Sequence, residues 1–323
     1  MKSDGKGRVW SWILAIPLAA VLLYYSLRGV DWSGVWHTIS GARWGFVALA
    51  GCFTCFSFFQ RAVRWRILLN AEARLSLGQV FCANMSGYLG NAFLPARAGE
   101  LVRTLIVSSR SSLSKTYVLT TALSERLMDV IALVLWSSII LLGVEPKPRW
   151  IADVSRTTAI VATLGALIIA VLPHTGSLCR AIIERVPVPQ KLRELLLRLV
   201  DQVLLGMRAF HHLGRFLGFA SLTVTIWVCD TLSVMICGRG LGLEMSFGVA
   251  MLLVTAMGLG SALPSTPGYV GIYQFVAVTV LVPFGFTKDA ALAFILVAQA
   301  MGYVTVLLLG LPCVYVLKRG RQP

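Results

Sequence analysis

Three groups of polar residues interrupt long apolar stretches of this sequence. The first group lies in Asn-Ala-Phe-Leu-Pro-Ala-Arg-Ala-Gly-Glu-Leu-Val-Arg, residues 91–103. Its arginines are suited to binding phosphate, and its carboxylate could orient either of them. Its proline breaks a helix, and its glycine allows close approach of the backbone. The alternative is a cytoplasmic loop with a routine ion pair. The residues singled out are Asn91, Pro95, Arg97, Gly99, Glu100 and Arg103.

The second group is Ser-Glu-Arg-Leu-Met-Asp, residues 124–129, within an apolar stretch. Glu125 and Asp129 are four residues apart, so a helix places them on one face. Arg126 follows Glu125 directly and points about 100° away from it. Ionisable groups at membrane depth are costly and usually face a cavity. The alternative is that the span begins after these charges, which would then lie at the membrane surface.

The third group is Leu-Pro-Ser-Thr-Pro-Gly-Tyr-Val-Gly, residues 263–271. Its two prolines and two glycines predict broken helices with free backbone N–H and C=O groups. A helix that restarts after the first glycine would present its N-terminus, which attracts anions. The alternative is a plain loop between two full spans. The residues singled out are Pro264, Thr266, Pro267, Gly268 and Gly271.

Composition requires that the elements carrying these residues are membrane helices. Hydrophobic residues make up 57% of the chain and charged residues only 13%, with a mean hydropathy of +0.78. Soluble domains contain about 25% charged residues. We therefore predict an all-α polytopic membrane protein with about six spans of roughly 20 residues each. The predicted spans are 10–27, 44–60, 116–142, 157–173, 217–237 and 290–317.

Two further apolar stretches, 78–95 and 246–284, are interrupted by Gly, Pro and polar residues, and we interpret them as re-entrant hairpins. Halves 10–142 and 157–317 then each contain two spans, a hairpin and a span, in an inverted repeat. Paired interrupted segments in inverted halves indicate a transport site near the midplane. Within 174–216 the pattern predicts an amphipathic helix on the inner leaflet. The alternative is that this helix packs between protomers, in which case the protein would be a homo-oligomer.

The charge of +15 is distributed as membrane topology requires. Most of the 29 basic residues fall in segments that a cytoplasmic N-terminus places on one side, so both termini are predicted to be cytoplasmic. This distribution favours anionic lipid over nucleic acid as partner. The sequence contains no Walker loop and no Cys/His spacing typical of a metal site. We therefore expect no cofactor, no metal and no ATP-driven transport by this chain alone.

The three motifs, in this order, resemble the transmembrane region of lysylphosphatidylglycerol synthases. That region also occurs as stand-alone flippase-like proteins, including hopanoid-associated ones. The resemblance covers residues 10–317 and implies a domain of the bacterial inner membrane that binds or moves lipid through the residues singled out above. Two features depart from the pattern. The sequence ends at Pro323, so synthase activity is not expected, and Gln274 stands where many relatives carry an acid.

The leading hypothesis is a lipid transporter or flippase-like protein that moves an anionic or modified headgroup, such as a phospholipid or hopanoid-type lipid. The arginines of the first two groups would hold the headgroup, and their carboxylates would balance charge or bind a proton. One alternative is an intramembrane enzyme that modifies a lipid headgroup, with Glu125 and Asp129 as acid and base. The other is a scaffold in a lipid-synthesis complex. No catalytic residue is assigned.

Overall fold

The computed structural model is helical in every regular element that it describes, which confirms the all-α fold class. It describes residues 4–94, 98–142, 163, 176–185, 189–190, 192–194, 196–197, 201, 212–261 and 266–319. The α-helices are α1 Asp4–Leu27, α2 Trp32–Ser40, α3 Trp44–Leu69, α4 Leu77–Phe93, α5 Gly99–Ser108, α6 Lys115–Leu142, α7 Gly176–Arg185, α8 Leu213–Gly240, α9 Phe247–Gly260, α10 Ile272–Leu281 and α11 Lys288–Arg319. Short 3-10 turns cover Pro267–Tyr269 and Val282–Phe284.

Several of these helices are long and apolar enough to cross a membrane. Within the described ranges, 4 segments meet this condition by length and composition, namely α3, α8, α11 and Pro267–Phe284. Large apolar side chains such as Val304, Leu308 and Leu311 project outward from α11. Such a surface requires lipid around it, so the chain is a multi-pass membrane protein. The predicted span 157–173, apart from Thr163, and most of the predicted linker 174–216 lie outside the described residues.

Helix α3 corrects one boundary of the sequence analysis. The helix continues to Leu69, well beyond the predicted end of the span at residue 60. Arg61 and Arg64 therefore belong to this long helix and are buried, although the predicted span 44–60 excluded them. Carboxylates on other helices neutralise both side chains, and a charge count along one segment cannot detect such partners.

Two helical hairpins follow the long helices α3 and α8. Helix α4 packs against α5, and α9 packs against α10. Each hairpin begins at a serine N-cap: the Ser76 hydroxyl accepts the Gln79 amide, and the Ser246 hydroxyl accepts the Val249 amide. The segment Pro267–Phe284 is long enough to span, so the re-entrant topology stays a prediction.

The hairpins also join the two halves of the chain. Helix α4 packs against α11, and α9 packs against α6, so the first arm of each hairpin contacts the last helix of the other half. The long helices of the two halves are also in direct contact, because α3 packs along α8. The Thr54 and Ser233 hydroxyls are 3.0 Å apart there, and Ser233 also donates to the Ala50 carbonyl oxygen.

The contact of α4 with α11 predicts a disulfide crosslink. The side chains of Cys82 and Cys313 lie on these two helices and interact across their contact. We expect a membrane-permeant oxidant such as diamide to join them within one chain, because their positions are already set. Mass spectrometry of proteolytic fragments detects the product, and Cys82→Ala is the control that must lose it. If wild-type protein forms no such crosslink while the exposed Cys52 is oxidised, the packing described here is wrong.

Candidate functional site

Eight charged side chains from α3, α5, α6 and α8 form one ion-paired cluster between the helices. Each of the four guanidinium groups lies within 4.0 Å of at least one carboxylate of the cluster. The four cations and four anions balance in formal charge. The members are Arg61, Arg64, Arg103, Arg126, Glu100, Glu125, Asp129 and Asp230.

Arg64 is the centre of this ion-paired cluster. Its fully buried guanidinium group donates to Glu125 Oε1 at 3.0 Å and to Asp129 Oδ1 at 2.6 Å. It also donates to the Thr223 hydroxyl of α8 at 3.0 Å. Glu125 and Asp129 lie on one face of α6, as their spacing predicts. The planar fork of arginine suits this arrangement because its donors reach both carboxylates at once.

Arg103 adds the hairpin α4–α5 to the same centre. It donates to Glu125 Oε2 at 3.0 Å and to Asn84 Oδ1 at 3.0 Å, and the Trp65 ring lies 4.6 Å from its guanidinium carbon. Arg103 Nη2 and Asn84 Nδ2 are buried and have no hydrogen-bond partner among the described residues. Buried polar groups in this condition are expected to contact water or a ligand group.

Two members of the ion-paired cluster, Asp230 and Glu125, lie well inside their long helices. Asp230 is ten residues before the end of α8 at Gly240, and Glu125 is ten residues after the start of α6 at Lys115. At a rise of about 1.5 Å per residue, each is about 15 Å from that helix end. Both residues are therefore several turns away from these helix ends.

Four members of the ion-paired cluster form its less buried rim. The exposed fractions of their side chains are 28% for Arg126, 22% for Asp230, 19% for Glu100 and 10% for Arg61. The other four side chains are at most 5% exposed. Arg126 pairs with Glu100 at 2.9 Å, and Arg61 pairs with Asp230 at 2.5 Å.

The two rim cations lie on either side of one carboxylate oxygen. Asp129 Oδ2 is 3.9 Å from Arg126 Nη1 and 4.0 Å from Arg61 Nη1. The Tyr88 ring of α4 stacks on Phe58 of α3, about one helical turn before Arg61. The rim therefore offers two neighbouring cations, each held by an acid that a ligand could displace.

Asn91 and Gly99 hold the hairpin that carries Glu100 and Arg103. Asn91 Oδ1 accepts the Gly99 amide at 2.9 Å. A Cβ atom at Gly99 would lie 1.9 Å from the Gly87 carbonyl oxygen, so α4 and α5 meet closely only because this residue is glycine. Pro95 and Arg97 of the same motif lie outside the described residues.

The third group forms a separate, uncharged network around the turn Pro267–Tyr269. The Gly268 carbonyl oxygen accepts from Gln299 at 2.6 Å and from the Tyr303 hydroxyl at 2.9 Å. Gln274 accepts the Gly271 amide at 2.7 Å and donates to Gln299 at 2.7 Å. The Gln274 side chain thus accepts the hydrogen bond of an N–H group at this helix end. We had expected that group to attract an anion.

The first two groups meet in space, whereas the third does not join them through any salt bridge of the described chain. The turn that contains Pro267, Gly268 and the adjacent Thr266 contacts α4 instead. Gly268 and Gly271 have positive φ angles of 67° and 91°, which favour glycine. Pro264 lies outside the described residues.

Sequence reasoning missed three members of the ion-paired cluster: Arg61, Arg64 and Asp230. Asp230 is a polar residue within the predicted span 217–237, and in the structure it pairs with Arg61. One signal was available, because the apolar residues Trp65, Leu68 and Leu69 continue the helix beyond both arginines.

The profile of a known family, the lysylphosphatidylglycerol synthase TM region, matches residues 12–310. The chain belongs to this family. Glycosyltransferase AglD of Haloferax volcanii is 26% identical over 317 residues, covering 87% of this chain and 49% of that protein. The chain therefore spans about half the length of this curated relative. Membership in the synthase TM-region family confirms the resemblance seen in the three motifs and indicates a function connected with membrane lipids.

Proposed function

We propose that this protein moves lipid headgroups across the membrane and that the ion-paired cluster is the polar site through which they pass. The observation that carries this proposal is a cluster of eight ion-paired side chains between long apolar helices, with a partly exposed rim. An apolar replacement of a buried ion pair is often neutral or stabilising, so stability alone does not explain such a cluster. Charges at membrane depth usually serve function and face a wet cavity.

The contacts between helices support two halves that move against each other. The pair of Arg61 on α3 and Asp230 on α8 links the half 10–142 to the half 157–317. The reciprocal packing of α4 on α11 and of α9 on α6 supports an inverted repeat. Rocking of one half against the other would then expose the rim alternately to each side of the membrane.

The rim assigns different roles to the predicted headgroup ligands. Arg126 can exchange Glu100 for a lipid phosphate, and Glu100 can then accept a cationic or protonated group. Arg103 and Glu125 are nearly fully buried and act by holding the rim in position. An anionic, aminoacylated or hopanoid-type lipid and a bacterial inner membrane with both termini cytoplasmic remain parts of this proposal.

The enzyme alternative has less support from the geometry. Glu125 and Asp129, its acid and base, are buried and both accept hydrogen bonds from Arg64. A general acid or base needs a free path to the reacting proton. The scaffold alternative requires no polar site at this depth and predicts that substitutions in the cluster leave lipid movement unchanged.

A transbilayer assay in proteoliposomes tests the proposal. Wild-type protein should accelerate the movement of a fluorescent phospholipid to the outer leaflet, where dithionite reduces it. In the double variant Glu100→Gln with Arg126→Gln, the rate of this reduction should fall on the order of tenfold or more. The double variant keeps the ion-paired cluster neutral, so its unfolding temperature should stay close to that of the wild type.

Arg239→Gln is the matched control, because Arg239 is an exposed cation at the end of α8 and outside the rim. Full transport by the folded double variant contradicts the proposed site. If a chemically altered lipid is recovered from vesicles with wild-type protein but not from vesicles with the double variant, the enzyme alternative is supported instead.

A further inference from the structure

A cleft of about 220 Å³ lies between the hairpin α4–α5 and the last turns of α11. Its apolar walls are Val102 and Ile106 on one side and Val314 and Leu317 on the other. Arg110 and Lys318 lie among the same lining residues. The cleft thus combines a hydrocarbon lining with two cations.

The cleft is at the membrane surface and is separate from the ion-paired cluster. Helix α5 ends at Ser108 and α11 ends at Arg319, so Arg110 and Lys318 lie at the C-terminal ends of these helices, where we infer the membrane surface. Val102 and Ile106 are four residues apart and share one face of α5. Arg103, on a different face, contacts Glu125 and Trp65.

The cations of the cleft differ from those of the ion-paired cluster in their partners. The Arg110 guanidinium donates to the Leu317 carbonyl oxygen, a neutral acceptor. The sequence contains no acidic residue between Glu100 and Glu125 and none after Asp289, and no lining residue is acidic. In the described part of the chain, neither Arg110 nor Lys318 forms a salt bridge with a carboxylate.

We propose that this cleft binds one phospholipid with an anionic headgroup. One acyl chain packs between the valine and isoleucine of α5 and the α11 residues Val314 and Leu317, and the phosphate contacts Arg110 and Lys318. Basic residues at a membrane surface attract anionic lipid, and the apolar walls hold a chain out of water. The bound lipid contacts the hairpin of one half and the last helix of the other. It is a resident ligand that does not require the transport activity proposed above.

Lipid binding to purified protein tests this site. Protein in detergent is titrated with phosphatidylglycerol or with phosphatidylcholine of the same chains, and bound lipid is counted by native mass spectrometry. The wild type should retain one phosphatidylglycerol in preference to phosphatidylcholine. Arg110→Gln with Lys318→Gln should weaken this binding on the order of tenfold or more. Arg239→Gln, which removes an exposed cation at the opposite ends of the helices, should leave binding unchanged.

Two further measurements locate the lipid. Val102→Phe fills the cleft without changing its charge and should also reduce phosphatidylglycerol binding. Glycerol 1-phosphate, the headgroup chemistry without chains, should not compete. Unchanged phosphatidylglycerol binding in either variant, equal binding of phosphatidylcholine, or competition by glycerol 1-phosphate would each overturn the proposal. Loss of transport in the rim variants with lipid binding intact would concern only the proposed function.

Discussion

Replacement of Arg64 by glutamine should lower the free energy of unfolding by about 3–5 kcal/mol. The side chain is fully buried and donates to both Glu125 and Asp129. Without it, two buried carboxylates on one face of α6 lose their central partner. Unfolding of the purified protein in mixed micelles, followed by tryptophan fluorescence, measures the loss.

Arg180→Gln is the control for this experiment. Arg180 pairs with Asp201 at 2.6 Å, a distance equal to that between Arg64 and Asp129, but its side chain is 54% exposed. Exposed pairs contribute at most about 1 kcal/mol, so this substitution should change stability little. If Arg64→Gln and Arg180→Gln lowered the free energy of unfolding by similar amounts, Arg64 would not lie in a low-dielectric environment.

Gly99→Ala should separate the hairpin α4–α5 and destabilise the protein by about 1–3 kcal/mol or more. The added Cβ would lie 1.9 Å from the Gly87 carbonyl oxygen and 2.5 Å from Asn91 Oδ1. Both positions are incompatible with van der Waals contact, so α5 must shift and carry Glu100 and Arg103 away from α6. The yield of monodisperse protein and its unfolding temperature report the effect.

Gly78→Ala is the matched substitution on the same hairpin. Nothing lies within 4 Å of the Cβ that it would add, and alanine has a higher helix propensity than glycine. We expect unchanged or slightly higher stability. If Gly99→Ala behaves like Gly78→Ala, the close contact of α4 with α5 does not exist.

The sequence allowed prediction of the fold class and of the helical face that carries Glu125 and Asp129, because both follow from local periodicity and composition. It did not reveal their partners. Arg64 is 61 residues from Glu125, and Arg61 is 169 residues from Asp230. Such pairs depend on which helices pack together, and a single sequence contains no direct signal for that packing.

The third group illustrates a different limit. The prolines and glycines correctly predicted broken helices, as the positive φ angles of Gly268 and Gly271 show. The N-terminus of α10 was expected to be available for an anion, but Gln274 accepts the Gly271 amide. A side chain and a ligand compete for the same N–H group, and only the folded geometry decides between them.

Tyr88→Cys tests most directly whether a polar, water-accessible cavity exists at membrane depth. Tyr88 stacks on Phe58, about one helical turn before the rim residue Arg61, and Leu308 of α11 is 69% exposed on the outer surface. Each position receives a single cysteine in a variant whose native cysteines are alanine, and a small water-soluble methanethiosulfonate is added to membrane vesicles. We expect the cysteine at position 88 to react and the one at position 308 to remain unmodified, although Leu308 is highly exposed in the structure. If the cysteine at position 88 is as unreactive as the one at position 308, the charges lie in a dry core and the transport site proposed here does not exist.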